Sequence, residues 1–308
     1  MNIPLLQTKN WQKLQSDLGE TTFFEQNQDV QYLAIKKSTP VGDYLYLPYG
    51  PHFFEKPSAK TVKNAFKGLL ELAKRENAIF IRIEPQNASA LRYLRENGIK
   101  SHDLNPADTW ILDISGEEAD FKAKLPSRLL RYYKNREKSG LEVVTSKNPD
   151  DVDFLVNLQQ NLAKNKKIST FSADYLKTEL KQDFATLYLV KQADEILAAG
   201  LVFDDGDTRY NLQGAQSPAG AKLHATGILT IQLILDARAK NLKNFDFWGI
   251  APENAPKNHP WAGFTGFKKT FAGAEFHYCG TWDIPVNRGK YRLYQIFRVL
   301  NRVIRKIK

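Results

Sequence analysis

Residues 242–273, LKNFDFWGIAPENAPKNHPWAGFTGFKKTFAG, concentrate the side chains best suited to chemistry in this chain. Asn244 to Phe247 read as a short buried strand carrying one acid, Asp246, and Trp248-Gly249-Ile250 turns the chain out of it. A loop rich in Pro, Asn and Gly follows and closes on Phe264-x-x-Phe267-Lys268-Lys269-x-Phe271-x-Gly273. Glycines let a backbone turn tightly or approach a ligand closely. A lysine behind such a turn meets a phosphate or a developing negative charge as a point cation. Asp246, entering the turn, suits orienting or deprotonating an amine, and equally suits capping its own turn. Local chemistry alone leaves a surface loop with ordinary lysines just as open. Other chemistries are poorly served. His52, His102, His224, His259 and His277 show no metal-ligand spacing, so no metal is expected. Cys279, the sole cysteine, falls beside His277 in an expected strand, where a cysteine is ordinarily a small core residue. No Gly-x-Ser-x-Gly elbow, Walker loop or zinc knuckle occurs.

The elements around these residues read as mixed α and β. Val30–Lys36 and Tyr44–Leu47 predict an antiparallel pair, broken by Tyr46-Leu-Pro-Tyr-Gly-Pro51. A helix over 58–76, a strand over 78–83 and a helix over 87–96 follow, from apolar periodicity and stop signals. This order fits the sheet of a GNAT-type acyltransferase and contains no Rossmann glycine fingerprint. Thr109-Trp-Ile-Leu-Asp113-Ile looks like the start of a second copy. Residues 117–138 predict basic helix, with Pro126 opening a new one. A strand over 141–145 and a helix over 149–163 lead to three consecutive strands, 185–191, 195–203 and 208–213, joined by hairpin-like turns. A helix over 223–239, the 242–273 stretch and a strand over 275–283 complete the pattern.

With 308 residues, 42% hydrophobic and 25% charged, the chain can fold as two domains of ordinary size. It has no run of about 18 apolar residues, so no membrane span is expected, and its N-terminus lacks the pattern of a secretion signal. A single cysteine fits a reducing compartment, and a cytoplasmic location is expected. The net charge of +10 is mostly a tail property. Residues 288–308 hold eight Arg or Lys and no acid, and the rest is close to neutral. Leu293, Ile296, Phe297, Leu300, Ile304 and Ile307 share one helical face there, a basic amphipathic helix expected either to pack back on the first domain or to touch the inner face of the plasma membrane.

Asp246-Phe-x-Gly-Ile, a loop, then Phe267-Lys-x-x-Phe-x-Gly273 resembles the C-terminal signature of the FemABX family, peptidoglycan-bridge aminoacyltransferases such as lipid II:glycine glycyltransferase. Leu6-Gln-x-x-x-Trp11-x-Lys13 resembles that family's N-terminal helix start, and Arg131 to Gly140 its arginine-rich segment. The resemblance implies tandem GNAT-like domains without a coiled-coil insertion. The expected limits are 1–107 plus 283–308 for the first and 108–282 for the second, with the precursor in the cleft between them. It implies transfer of an amino acid from aminoacyl-tRNA, a co-substrate with no further cofactor, to lipid II or UDP-MurNAc-pentapeptide. Lys268 is then the contact for the tRNA 3′ end or the oxyanion, with Lys269 as fallback and Asp246 at the amine. Lys13 faces the precursor's phosphates, and Tyr175, Tyr210, Lys167, Phe267 and Gly249 are further substrate contacts. Many members carry an arginine four residues before the tyrosine that is Tyr175 here. This chain has Phe171 at that position, leaving Lys164, Lys166 and Lys167 as the cations of the loop. Two other readings stay open. An acyl-CoA-dependent GNAT would need a pyrophosphate turn, and Gln216-Ser-Pro-Ala-Gly220-Ala has one residue more than that turn. A non-catalytic relative would bind membrane or RNA through the basic tail.

Overall fold

The computed structural model describes residues 2–86, 88–166, 170–256, 259 and 261–307, with 163–166 and 301–307 as backbone only. Residues 1–107 with 277–308 form one compact unit and 108–276 a second. Strands β1 (Thr22–Gln26), β2 (Val30–Thr39), β3 (Gly42–Leu47), β4 (His52–Phe53), β5 (Phe80–Ile83) and β6 (Ile99–Lys100) belong to the first. The second holds β7 (Asp108–Asp113), β8 (Leu141–Ser146), β9 (Ala185–Gln192), β10 (Glu195–Asp205), β11 (Thr208–Gln216), β12 (Asn244–Gly249) and β13 (Ala274–His277). Then β14 (Trp282–Pro285) returns to the first.

The first sheet runs β1-β2-β3-β5-β14-β6, with β4 beside β2. Its β3 and β5 are parallel, joined by the helix Ala59–Arg75. Ser58 caps that helix, its hydroxyl accepting from the Thr61 N–H at 3.0 Å, a favoured cap because it satisfies an orphan donor. Val62, Phe66, Leu69 and Ala73 then fall on one face and pack with Leu45, Leu47, Ile81 and Ile83. The strand β1 escaped the sequence reading because TFFEQ is polar at its end and half-buried elsewhere.

The N-terminal Leu6-Gln7…Trp11 pattern has a packing role. All three are buried, and Gln7 behaves as an extra rung on β2. Its Oε1 accepts from the Leu33 N–H at 2.9 Å, while its Nε2 donates to Leu33 O at 3.2 Å and Pro48 O at 2.6 Å.

The second sheet runs β13-β7-β12-β11-β10-β9-β8. Its β9, β10 and β11 pair antiparallel in succession, as the hairpin-like turns predict, and β8 pairs antiparallel with β9. The helix Ala225–Ala239 then carries the chain over to β12, parallel to β11. Both units therefore repeat one device, a helical crossover joining a parallel pair of strands in a mixed sheet.

The expected strand over 275–283 is two strands in two different sheets. Gly280, at φ +66°, breaks it, because that left-handed conformation ends a ladder. Cys279 accordingly lies outside any strand, and the same-face pairing with His277 that strand alternation implied does not arise.

The helix Arg288–Ile307 packs back on the first unit, through the opposite face from the apolar one. Tyr291 and Tyr294 are buried against Ile79 and Phe80. Beneath them Arg82 makes a two-pronged pair with Asp283, Nε to Oδ1 at 2.7 Å and Nη2 to Oδ2 at 2.8 Å. The Tyr291 hydroxyl donates to the same Asp283 at 3.0 Å. Leu293, Ile296 and Leu300 point to solvent.

Candidate active site

The second unit gathers Asp246, Trp248, Gly249 and Lys268 at the end of β12. The centre of the arrangement is one peptide turn. Trp248 sits at φ +64°, a conformation that a bulky side chain adopts only when its surroundings impose it, at about 1–3 kcal/mol. The turn is a bulge, since the β12–β7 register pairs Asp246 with Ile111 and next Gly249 with Thr109. Its N–H donates to Asp246 Oδ1 at 2.7 Å, while its carbonyl accepts from Lys268 Nζ at 3.4 Å. Lys268 Nζ also donates to Gly249 O at 2.6 Å. An ammonium has three N–H groups, and the described residues engage two of them.

Asp246 is buried, and the Thr109 hydroxyl donates to its Oδ1 as well. Burial pushes its carboxyl up to about 6, against the hydrogen bonds from Thr109 and Trp248 and the charge of Lys268. Burial also lowers Lys268, to about 8, with the Asp246 charge opposing. Both groups are thus poised around neutrality, a frequent property of functional sites.

The helix Ala262–Lys268 holds the lysine in place. Thr265 Oγ1 accepts from the Ala251 N–H at 2.8 Å, tying the helix to the end of the turn. Phe271 is fully buried, with Phe247 and Phe267 rings at 4.9 and 5.7 Å. Gly273 lies so close to β7 that a Cβ would meet Ile111 O at 2.6 Å and Trp110 Nε1 at 2.7 Å. Gly273→Ala is therefore expected to lose about 1–3 kcal/mol through overpacking. Thermal unfolding would read this, and an unchanged midpoint would mean that β7 yields to the methyl group.

The remaining predicted site residues fall in several places. Tyr210, opposite Asp246 in the β11–β12 register, is buried with its ring edge-on to Trp248 at 6.4 Å. Gly249 contributes its carbonyl to Lys268, and Phe267 packs against the core. Lys269 pairs with Glu275 at 2.9 Å and lies over the Trp110 ring. Lys13 is in the first unit, exposed and paired with Asp17 at 2.9 Å. Tyr175, on the helix Ala173–Leu180, stacks with the exposed Phe171 at 4.6 Å. Lys167 and the side chains of Lys164 and Lys166 lie outside the described residues.

Sequence reasoning missed Thr109 and Glu179. Nothing local signals Thr109, which meets an acid 137 positions away. Glu179 is buried, pushed up to about 8 by burial against a hydrogen bond from Tyr175, and its Oε2 has no partner among the described residues. The spacing Leu176, Glu179, Leu180 did carry a signal, since it places the acid on the inward face of its helix.

Two further features bear on substrates. The strands β11 and β12 pair only from Thr208/Asn244 to Tyr210/Asp246, and β11 then runs on to Gln216 along β10. A gap in the ladder therefore opens beside the Asp246 turn. At its far end, Pro218–Lys222 forms a short helix, and Gln216 Oε1 accepts from the Thr226 N–H at 3.2 Å. Gly220 is explained by packing, because a Cβ there would meet Leu197 O at 2.3 Å. On the helix Ser127–Lys134, Arg128 and Arg131 lie over the Tyr132 ring, which stacks on His224 at 3.9 Å.

Both units thus carry the GNAT-like layout, and the solved structures with similar folds include a tandem GNAT protein from the clavulanic acid biosynthesis pathway. That match has a TM-score of 0.53 and 12% identity over 84% of this chain and 79% of the other. FemX matches with a TM-score of 0.79 and 16% identity over 95% of this chain and 94% of its own. L-PGS from Bacillus licheniformis matches with a TM-score of 0.59 and 15% identity, over 90% and 92%. No curated protein matches by sequence. The FemAB family model matches residues 119–298. The chain belongs to the FemAB family, whose class is that of peptidoglycan-bridge acyltransferases.

Proposed function

We propose that this protein moves an amino acid from aminoacyl-tRNA to the stem-peptide amine of a peptidoglycan precursor, lipid II or UDP-MurNAc-pentapeptide. The observation that carries the reading is the Trp248 turn, which holds Lys268 by two of its three N–H groups among the described residues, beside the gap between β11 and β12. An aminoacyl ester is already activated, so alignment and charge stabilisation supply most of what the reaction needs. The amine attacks the ester carbonyl and the C–O bond to the ribose breaks. The ribose oxygen then takes up a proton as the amine gives one up. Lys268 directs its ammonium at the oxyanion or at the terminal phosphate of the tRNA. Asp246 acts through the backbone, because it is buried and engaged by Thr109 and Trp248, so we assign it positioning of the turn. The Arg128, Arg131, Tyr132 and His224 cluster supports the choice of donor, since cations and stacked rings suit phosphates and unpaired bases. Gly220 and Gln216 are committed to packing and capping, which disfavours a CoA pyrophosphate at that turn.

The test is transfer of labelled amino acids from a charged total tRNA pool onto purified lipid-linked and nucleotide-linked precursors. Label on either acceptor, abolished by RNase treatment of the donor, is the expected result. Turnover of acyl-CoA without tRNA, or no label on either acceptor, would overturn the reading.

A further inference from the structure

The helix Arg288–Ile307 presents two opposed faces. Tyr291, Tyr294 and Arg298 face the first unit, where the tyrosines are buried and Arg298 donates to Ser101 Oγ at 3.3 Å. Leu293, Ile296, Phe297 and Leu300, at i, i+3, i+4 and i+7, form a stripe on the other side. Leu293, Ile296 and Leu300 are 57%, 58% and 55% exposed. The docked tyrosines hold the helix to the sheet, so this stripe has a fixed orientation, which a loose tail would lack. By helical geometry Lys290 and Arg292 border the stripe on its two sides. Residues 288–308 carry eight cations and no acid. No helix among the described residues is long and apolar enough to cross a membrane.

We infer that this face is a membrane-docking surface that lies in the headgroup region of a bilayer containing acidic phospholipid. The pairing of features selects the occupant. An apolar stripe walled by cations matches an interface with acyl chains below and anionic headgroups around. RNA would use the cations but has no use for four exposed aliphatic and aromatic side chains in a row. A second copy of the chain would bring a second set of like charges, Lys290 and Arg292, against the same face. Docking here needs no tRNA and no precursor, so it stands or falls apart from the proposed transfer reaction.

The experiment is sedimentation of the full-length protein with vesicles of phosphatidylcholine alone and with about one-third phosphatidylglycerol. Binding to the acidic vesicles, weakened by salt, is expected. The triple variant Leu293→Ser, Ile296→Ser, Leu300→Ser alters only exposed positions, so its unfolding midpoint should match the parent. Its partition to acidic vesicles should fall at least about tenfold. The variant Lys290→Gln, Arg292→Gln should lose about fivefold per charge on acidic vesicles. No binding by the parent, or equal binding by the triple variant, would overturn the inference. So would a parent dimer that the triple variant converts to monomer without any vesicle binding. Loss of RNA binding in the triple variant, with vesicle binding unchanged, would reassign the face to nucleic acid.

Discussion

Replacing Lys268 with alanine is expected to slow aminoacyl transfer by about 10²–10³-fold, the usual cost of removing one preorganised donor to a developing oxyanion. The lysine contributes no core packing comparable to Phe267 or Phe271, so the unfolding midpoint should move little. Three facts concentrate the effect on this residue. Two of its N–H groups are spent on the carbonyls of Trp248 and Gly249, which fix the position of its Nζ. Lys269 is held by Glu275 and cannot replace it without breaking that pair. Burial lowers its acidity range to about 8, which makes its charge sensitive to pH near neutrality.

The sign of the pH dependence follows from the same residues. Lys268 must stay protonated to act as a cation, so the rate should fall above about 8. Asp246 must be ionised to grip the Trp248 turn most strongly, so the rate should rise through about 6. Maximum transfer is expected between those limits, and the alkaline limb should vanish in Lys268→Ala. A wild-type rate that instead climbs through about 8 would make the lysine a base and overturn its assignment as a cation. Retention of most activity in Lys268→Ala would remove it from the site altogether.

Asp283→Ala is expected to have the largest effect on stability, about 3–5 kcal/mol, because it strands a buried charge. Arg82 and Asp283 are 2% and 0% exposed and share two short hydrogen bonds. Removing the carboxylate leaves the guanidinium with only Ser101 and the Tyr294 hydroxyl, and deprives Tyr291 of its acceptor. Chemical denaturation should show the loss, and the first unit should unfold at lower denaturant than the second. Replacing both partners with apolar residues, Arg82→Met with Asp283→Leu, should recover much of it, since the cost lies in the unpaired charge. A loss under about 1 kcal/mol in the single variant would mean that water reaches the pair.

Several elements were legible without a structure, namely the helix Ala59–Arg75 from its apolar periodicity, the hairpins β9 to β11 from their turns and the crossover helix Ala225–Ala239 from its apolar run. So was the family, because Asp246 to Gly273 is a contiguous stretch whose members stay together in the fold. The glycine and aromatic positions of that signature turn out to pack the lysine-bearing helix onto β7. The N-terminal pattern behaves likewise, with Gln7 completing β2 while Lys13 stays at the surface. Short polar strands such as β1 were not legible, since they owe their conformation to a neighbour's hydrogen bonds.

What the sequence determined by itself was most of the longer elements and the identity of the lysine and acid, since both are written in spacings of a few residues. Only the tertiary structure decided how Asp246 is gripped, because Thr109 arrives from a strand 137 positions away through sheet pairing. It alone divided the 275–283 segment between two sheets, since strand partners are chosen by distant edges and local alternation is the same for either. It also decided which side of the last helix docks. The local pattern favoured burying the leucine stripe, but the buried Arg82–Asp283 pair needed hydroxyl partners, and Tyr291 and Tyr294 supply them. With those tyrosines docked and their rings packed on Ile79 and Phe80, the apolar stripe faces outward.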